Sequence, residues 1–136
     1  LMKLEHVAIW ANDLEKLKDY YTKYFGAKAN NKYVNPTTSF SSYFLTFSSG
    51  ARIEIMHRPD IPNNMNDTVN VQHKGIIHLA FEVDTMSQVE AKAKQLAEDG
   101  YLKLKGPRKT GDGYYEIETI DPEGNRLGIT SLYIES

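Results

Sequence analysis

Glu54 lies between Ile53 and Ile55 in GARIEIM, residues 50–56, a stretch that otherwise reads as a buried strand. A carboxylate in such a place is costly unless it faces a partner, a ligand or water. Two histidines stand in comparable settings, His6 in HVAIW and His78 in HLAFE. The 136 residues include no cysteine, which excludes disulfide frameworks, thiolate metal sites and thiol nucleophiles. His, Asp and Glu remain as the groups for metal binding and proton transfer. Neutral imidazoles and carboxylates suit borderline or hard divalent ions, and a desolvated glutamate can move protons near neutral pH. His57 and His73 flank or sit within a stretch rich in Asn and Pro and lack a matching carboxylate, so they read as surface residues.

The elements that must position these groups recur. HVAIWAND from His6 matches HLAFEVD from His78, and GARIEI from Gly50 matches GNRLGI from Gly124, both at a separation of about 72 to 74 residues. Each half reads as strand, helix and three strands. In the first, the spacing predicts an N-cap at Asn12 with Glu15 in a capping box, then an apolar stripe of Leu14, Leu17, Tyr21 and Tyr24 ending at Gly26. In the second, Thr85 and Gln88 form the box, Met86, Val89, Ala93 and Leu96 the stripe, and Gly100 the stop. Alternating strands follow in both halves: FSSYFLTF turns into ARIEIM, and GYYEIETI turns at DPEG into NRLGIT.

Strand alternation assigns the faces. Val7, Ile9, Tyr43, Leu45, Phe47, Ile53 and Ile55 would lie under the helix. The opposite face would carry His6, Trp10, Ser42, Phe44, Arg52 and Glu54, and in the second half His78, Glu82, Tyr114, Glu116, Glu118 and Arg126. That face is too polar for a second core unless it lines a cleft holding ligand or metal. Trp10, Phe44 and Tyr114 suit a substrate pocket or a dimer interface, and Arg52 and Arg126 suit an anionic substrate end or ordinary ion pairs.

With its paired βαβββ halves, RIEIM closing the first and DPEGNRLGI closing the second, the chain resembles the vicinal oxygen chelate superfamily, which includes glyoxalase I, epimerases, extradiol dioxygenases and metal-free bleomycin-binding proteins. The resemblance implies an α+β fold in which two tandem modules form a curved, mostly antiparallel sheet around a cleft. It implies one domain over residues 2–136, with modules at about 2–57 and 75–136 and a linker at about 58–74. The implied metal ligands are His6, Glu54 and His78, with Gly128 where a fourth, glutamate, ligand would stand. Pairing of the last two strands would set Glu118 across from Gly128, or Glu116 after a shift of two. Either carboxylate could occupy the vacated space or bind Arg126.

The resemblance further implies a divalent cofactor (Zn, Ni, Co or Mn) and a small-molecule substrate, with Glu54, Glu116 or Glu118 as catalytic base. The reaction would be glyoxalase I-like, acting on the thiol adduct of a 2-oxoaldehyde through a metal-stabilised enediolate; alternatives are a metal-free small-ligand binder and an epimerase. A homodimer whose pairing completes the cleft is expected. The net charge of -2, with no basic stripe, argues against nucleic acid. No apolar run is long enough to span a bilayer and no secretory signal opens the chain, so a cytoplasmic location is expected. Leu1 ahead of Met2 reads as foreign to the native start.

Overall fold

The alternation in HVAIW becomes β1 (His6–Trp10) of a computed structural model that describes residues 1–135. These fall into two units, Leu1–Met65 and the chain from Asn66 onward. The first continues with α1 (Leu14–Phe25), β2 (Lys28–Ala29), β3 (Tyr33–Asn35), β4 (Phe40–Thr46) and β5 (Arg52–His57). Its sheet runs β1-β5-β4-β2, with β3 also on β4. The β1–β5 pair is parallel and the β4–β5 pair antiparallel.

Helix α1 lies on β4 and β5 and buries Leu14, Leu17, Tyr20, Tyr21 and Tyr24 over Tyr43, Leu45, Ile53 and Ile55. Each aliphatic side chain so buried contributes about 1.5–3 kcal/mol. The cap differs from expectation by one residue. Asp13, not Asn12, accepts a hydrogen bond from Lys16 N at 3.0 Å, while Asn12 Nδ2 donates to Asn63 Oδ1 at 2.7 Å. With the start displaced, Lys16 occupies the third helical position and no box forms with Glu15. Glu15 instead accepts from the Tyr43 hydroxyl at 2.6 Å, tying α1 to β4.

The second unit holds β6 (Leu79–Glu82), α2 (Met86–Glu98), β7 (Lys103–Lys109), β8 (Tyr114–Ile120) and β9 (Arg126–Leu132), with sheet order β6-β9-β8-β7. Strands β6 and β9 are parallel, the other pairs antiparallel. The Thr85–Gln88 capping box is complete. Helix α2 packs on β7, β8 and β9, and Val89, Leu96, Ile117, Leu127 and Ile129 are buried. The architecture is therefore α+β, two tandem units each built as βαβββ, with β2 and β3 together taking the place that β7 fills. Among the described residues no helix is long and apolar enough to cross a membrane.

Two outcomes follow from these contacts. Asp13→Ala should cost about 1 kcal/mol in denaturant unfolding, within the range for lost N-caps, and more than Asn12→Ala. The Tyr43 hydroxyl, helped by Lys32 and Lys18, holds the Glu15 carboxyl below its ordinary value of 4.5. The linked stability is fully present above that value and is lost as pH falls through the lower folded one. Tyr43→Phe should therefore raise the Glu15 titration midpoint in a carboxyl NMR experiment.

Candidate functional site

In the first unit the parallel register sets His6 beside Arg52 and Ala8 beside Glu54, and the antiparallel register sets Phe44 beside Glu54. Residues at even positions on β1, β4 and β5 thus share a face. On it, His6 Nε2 lies 3.7 Å from Glu54 Oε1. The other ring nitrogen, Nδ1, is 3.1 Å from Glu5 Oε1. Arg52 donates to both Glu5 oxygens, Nε to Oε2 at 2.7 Å and Nη2 to Oε1 at 2.5 Å. These bonds hold the Glu5 carboxyl down to about 2. Phe44 fills the corner: its centroid lies 4.1 Å from the Arg52 guanidinium carbon and 5.4 Å from the His6 ring, which meets it edge-on. Arg52, which suited either a substrate clamp or an ion pair, has its guanidinium engaged by Glu5, and Phe44 supports that pair.

The second unit repeats the register with a substitution. Ala80 pairs with Gly128 as Ala8 pairs with Glu54, and Glu118 pairs with Gly128 as Phe44 pairs with Glu54. The last strand therefore lacks a carboxylate, but the adjacent strand supplies one. Glu118 Oε1 lies 3.6 Å from His78 Nδ1, and that nitrogen is buried with no hydrogen-bond partner. Glu116, two residues back on the same face, places Oε1 3.1 Å from where a Cβ on Gly128 would stand. The two glutamates thus divide the expected roles: Glu118 holds the paired position and Glu116 reaches into the space over the glycine.

Two local features set this arrangement. The buried Asp121 side chain accepts from the backbone N–H groups of Glu123 and Asn125 at 2.8 and 3.0 Å, which fixes the DPEGN turn and hence the β8–β9 register. On the other side of β8, the β7 register shifts around Gly106. Gly106 has φ 83°, and a side chain there would overlap the Glu116 carbonyl oxygen. Only glycine permits this approach.

Arg126 departs from expectation. It is buried, and it donates through Nε to Thr68 O at 2.7 Å and through Nη2 to Val69 O at 2.9 Å. Its role is to fasten the segment preceding β6, since unpaired carbonyls and a buried cation each need a partner. It binds neither Glu116 nor Glu118 there. His57, expected at the surface, is half-buried with Nδ1 2.8 Å from Ala11 O. Trp10 remains 40% exposed, edge-on to Phe40 and with Arg58 5.6 Å above its ring. An open cavity of about 380 Å³ is lined by Thr38, Ser39, Arg58, Pro59 and Asp60, and none of the candidate ligands borders it. Tyr114 is half-buried on β8, paired with Leu132.

Glu5 was the group that strand alternation missed. It precedes β1, where the pleat does not yet dictate facing, so a Glu–His neighbour pair that should diverge instead converges. The signal available was composition alone: an acid next to His6 and a base in the row opposite.

Among the described residues no three His, Asp or Glu side chains converge on a point able to hold a metal. Each unit instead presents one imidazole and one carboxylate separated by a gap wider than a hydrogen bond.

Residues 3–129 match the Glyoxalase/Bleomycin resistance protein/Dioxygenase superfamily, and the chain belongs to it. A probable trivalent organoarsenical cleaving enzyme from Bacillus subtilis (strain 168) is 27% identical over 128 residues, covering 91% of this chain and 76% of the relative. Among solved structures, a glyoxylase/bleomycin resistance protein/dioxygenase domain from Frankia sp. EAN1pec superposes with a TM-score of 0.78 at 18% identity, covering 97% of this chain and 98% of that one. The trypanothione-dependent glyoxalase I of Leishmania major gives a TM-score of 0.76 at 18% identity, covering 98% and 87%. These two likenesses establish the fold.

The two site glycines should respond differently to alanine. Gly106→Ala should destabilise by more than about 1 kcal/mol, because its φ is positive and backbone stands in the way. Gly128→Ala meets only the end of a flexible side chain and should change stability by under about 1 kcal/mol while displacing the Glu116 carboxylate. Chemical denaturation of both variants tests the contrast.

Proposed function

We propose that this chain is a divalent-metal-dependent lyase or isomerase of the glyoxalase type, with His6, Glu54 and His78 as metal ligands and Glu118 in place of the carboxylate that Gly128 lacks. The observation that carries the reading is the repeated pair: His6 Nε2 facing Glu54 at 3.7 Å, and His78 Nδ1, buried and unpartnered, facing Glu118 at 3.6 Å. Imidazole and carboxylate donors suit Zn, Ni, Co or Mn. When bound, such an ion polarises a substrate carbonyl and offsets negative charge developing on its oxygen.

The protein's part in the reaction is proton movement. Glu116, resting over Gly128 rather than against an imidazole, is the base we assign to removing the proton next to the carbonyl. Trp10, with Phe40 at its edge, offers an apolar wall for the substrate body. The substrate we favour is the thiol adduct of a 2-oxoaldehyde, and the active form a homodimer. The similarity to an organoarsenical cleaving enzyme suggests a second substrate, but trivalent arsenic is a soft centre held best by thiolates, and this chain has no cysteine. Cleavage of a trivalent organoarsenical by this chain is expected to be absent.

Metal content after reconstitution should fall at least about tenfold in His6→Ala, His78→Ala and Glu118→Gln, since even outer partners of a metal site are worth that much. Glu116→Gln should keep its metal and slow solvent-deuterium exchange next to the carbonyl by about 10²–10⁴-fold. A wild-type protein that takes up no divalent ion would favour the metal-free binder, and undiminished exchange in Glu116→Gln would remove Glu116 as base.

A further inference from the structure

We propose that Glu5, clamped by Arg52, is a positioning residue that fixes the His6 ring with its proton on Nδ1, so that the Nε2 lone pair faces Glu54. The inference deepens the metal reading above and rests on it for its purpose, though the tautomer itself can be read without metal.

A carboxylate gripped at both oxygens by a guanidinium accepts hydrogen bonds and has none to give. Arg52 holds Glu5 in that way, Nε on Oε2 and Nη2 on Oε1. His6 Nδ1 at 3.1 Å from Oε1 must then be the donor, and in a neutral ring the other nitrogen is left with a lone pair. That nitrogen faces Glu54 Oε1 at 3.7 Å. Two acceptors aimed at one another across such a gap invite a cation, and a ring held in this tautomer is ready to ligate through Nε2.

Three contacts prevent the ring from turning away. Glu5 holds one edge, Phe44 meets the ring at 81°, and Arg52 both stacks on Phe44 and anchors Glu5. The backbone joins the same residues, since Arg52 N donates to Glu5 O at 2.8 Å. Among the described residues the second unit has no counterpart. Ile77 precedes His78, whose Nδ1 rather than Nε2 faces the carboxylate. The device is particular to His6, and His78 serves as an internal control.

The test is long-range ¹H–¹⁵N correlation of the imidazole rings in chelator-treated protein near pH ~8, above the usual imidazole range. Wild type should show His6 with Nδ1 protonated and Nε2 bare. Glu5→Ala should return His6 toward the Nε2-protonated form that free imidazole side chains prefer, leaving the His78 pattern unchanged. Glu5→Gln, whose amide oxygen can still accept, should retain part of the wild-type pattern. In zinc titrations, Glu5→Ala should bind about 10–100-fold more weakly than wild type. A wild-type His6 protonated on Nε2, a tautomer unmoved by Glu5→Ala, or an unchanged zinc affinity in that variant would each overturn the proposal. Failure of wild type to bind zinc would instead count against the metal reading, and the tautomer would decide this one.

Discussion

In both units the first strand runs parallel to the last, and this pairing delivers the chemistry. Side chains alternate across the pleat, so once Ala8 is bonded beside Glu54, His6 two residues earlier must share that carboxylate's face. Backbone hydrogen bonds thus set the His–Glu pair, and the helix on the opposite face keeps the sheet from slipping, because a one-residue shift would turn Ile53 and Ile55 out of the core. The same pairing in the second unit places Ala80 beside Gly128, and the ligand-type carboxylate that this row lacks comes from the next strand.

That replacement has structural requirements of its own. Glu118 can meet His78 only if the β8–β9 register holds, and the Asp121 turn holds it. Glu116 can reach over Gly128 only because that residue has no side chain, while its own backbone is approached from β7 by another glycine, Gly106. The two imidazoles also face their surroundings differently: His6 turns Nδ1 to Glu5, which Arg52 holds, whereas His78 turns a buried Nδ1 toward Glu118. A duplicated frame therefore carries two chemically similar but separately supported halves.

Much of this was legible from the chain. The repeat, the strand faces and the Thr85 box follow from period and spacing, which local sequence encodes; the polar face carries His6, Glu54, His78, Glu116 and Glu118, and their reading as ligands or bases rests on the resemblance. What stayed hidden depends on partners distant in sequence or on small breaks in regularity. Asp13 outcompeted Asn12 for the cap because Asn12 has a tertiary partner in Asn63. Strand alternation leaves Arg126 open to a substrate end or an ion pair, whereas the carbonyls of Thr68 and Val69, distant in sequence, take its donors. Where the Glu116 and Glu118 carboxyl groups end depends on side-chain reach, and the placement of Glu5 on chain direction before a strand begins, neither of which alternation encodes.

The superfamily supplies the fold, while the particular donor set must account for what this member does. Central to that account is the proposal that the His6 and His78 imidazoles bind a divalent ion. X-ray absorption of the cobalt-loaded protein counts them directly, through the scattering signature of imidazole rings. The account predicts imidazole scattering around cobalt in wild type that falls in both His6→Ala and His78→Ala; a wild-type spectrum without it, or one unchanged by either substitution, would contradict it.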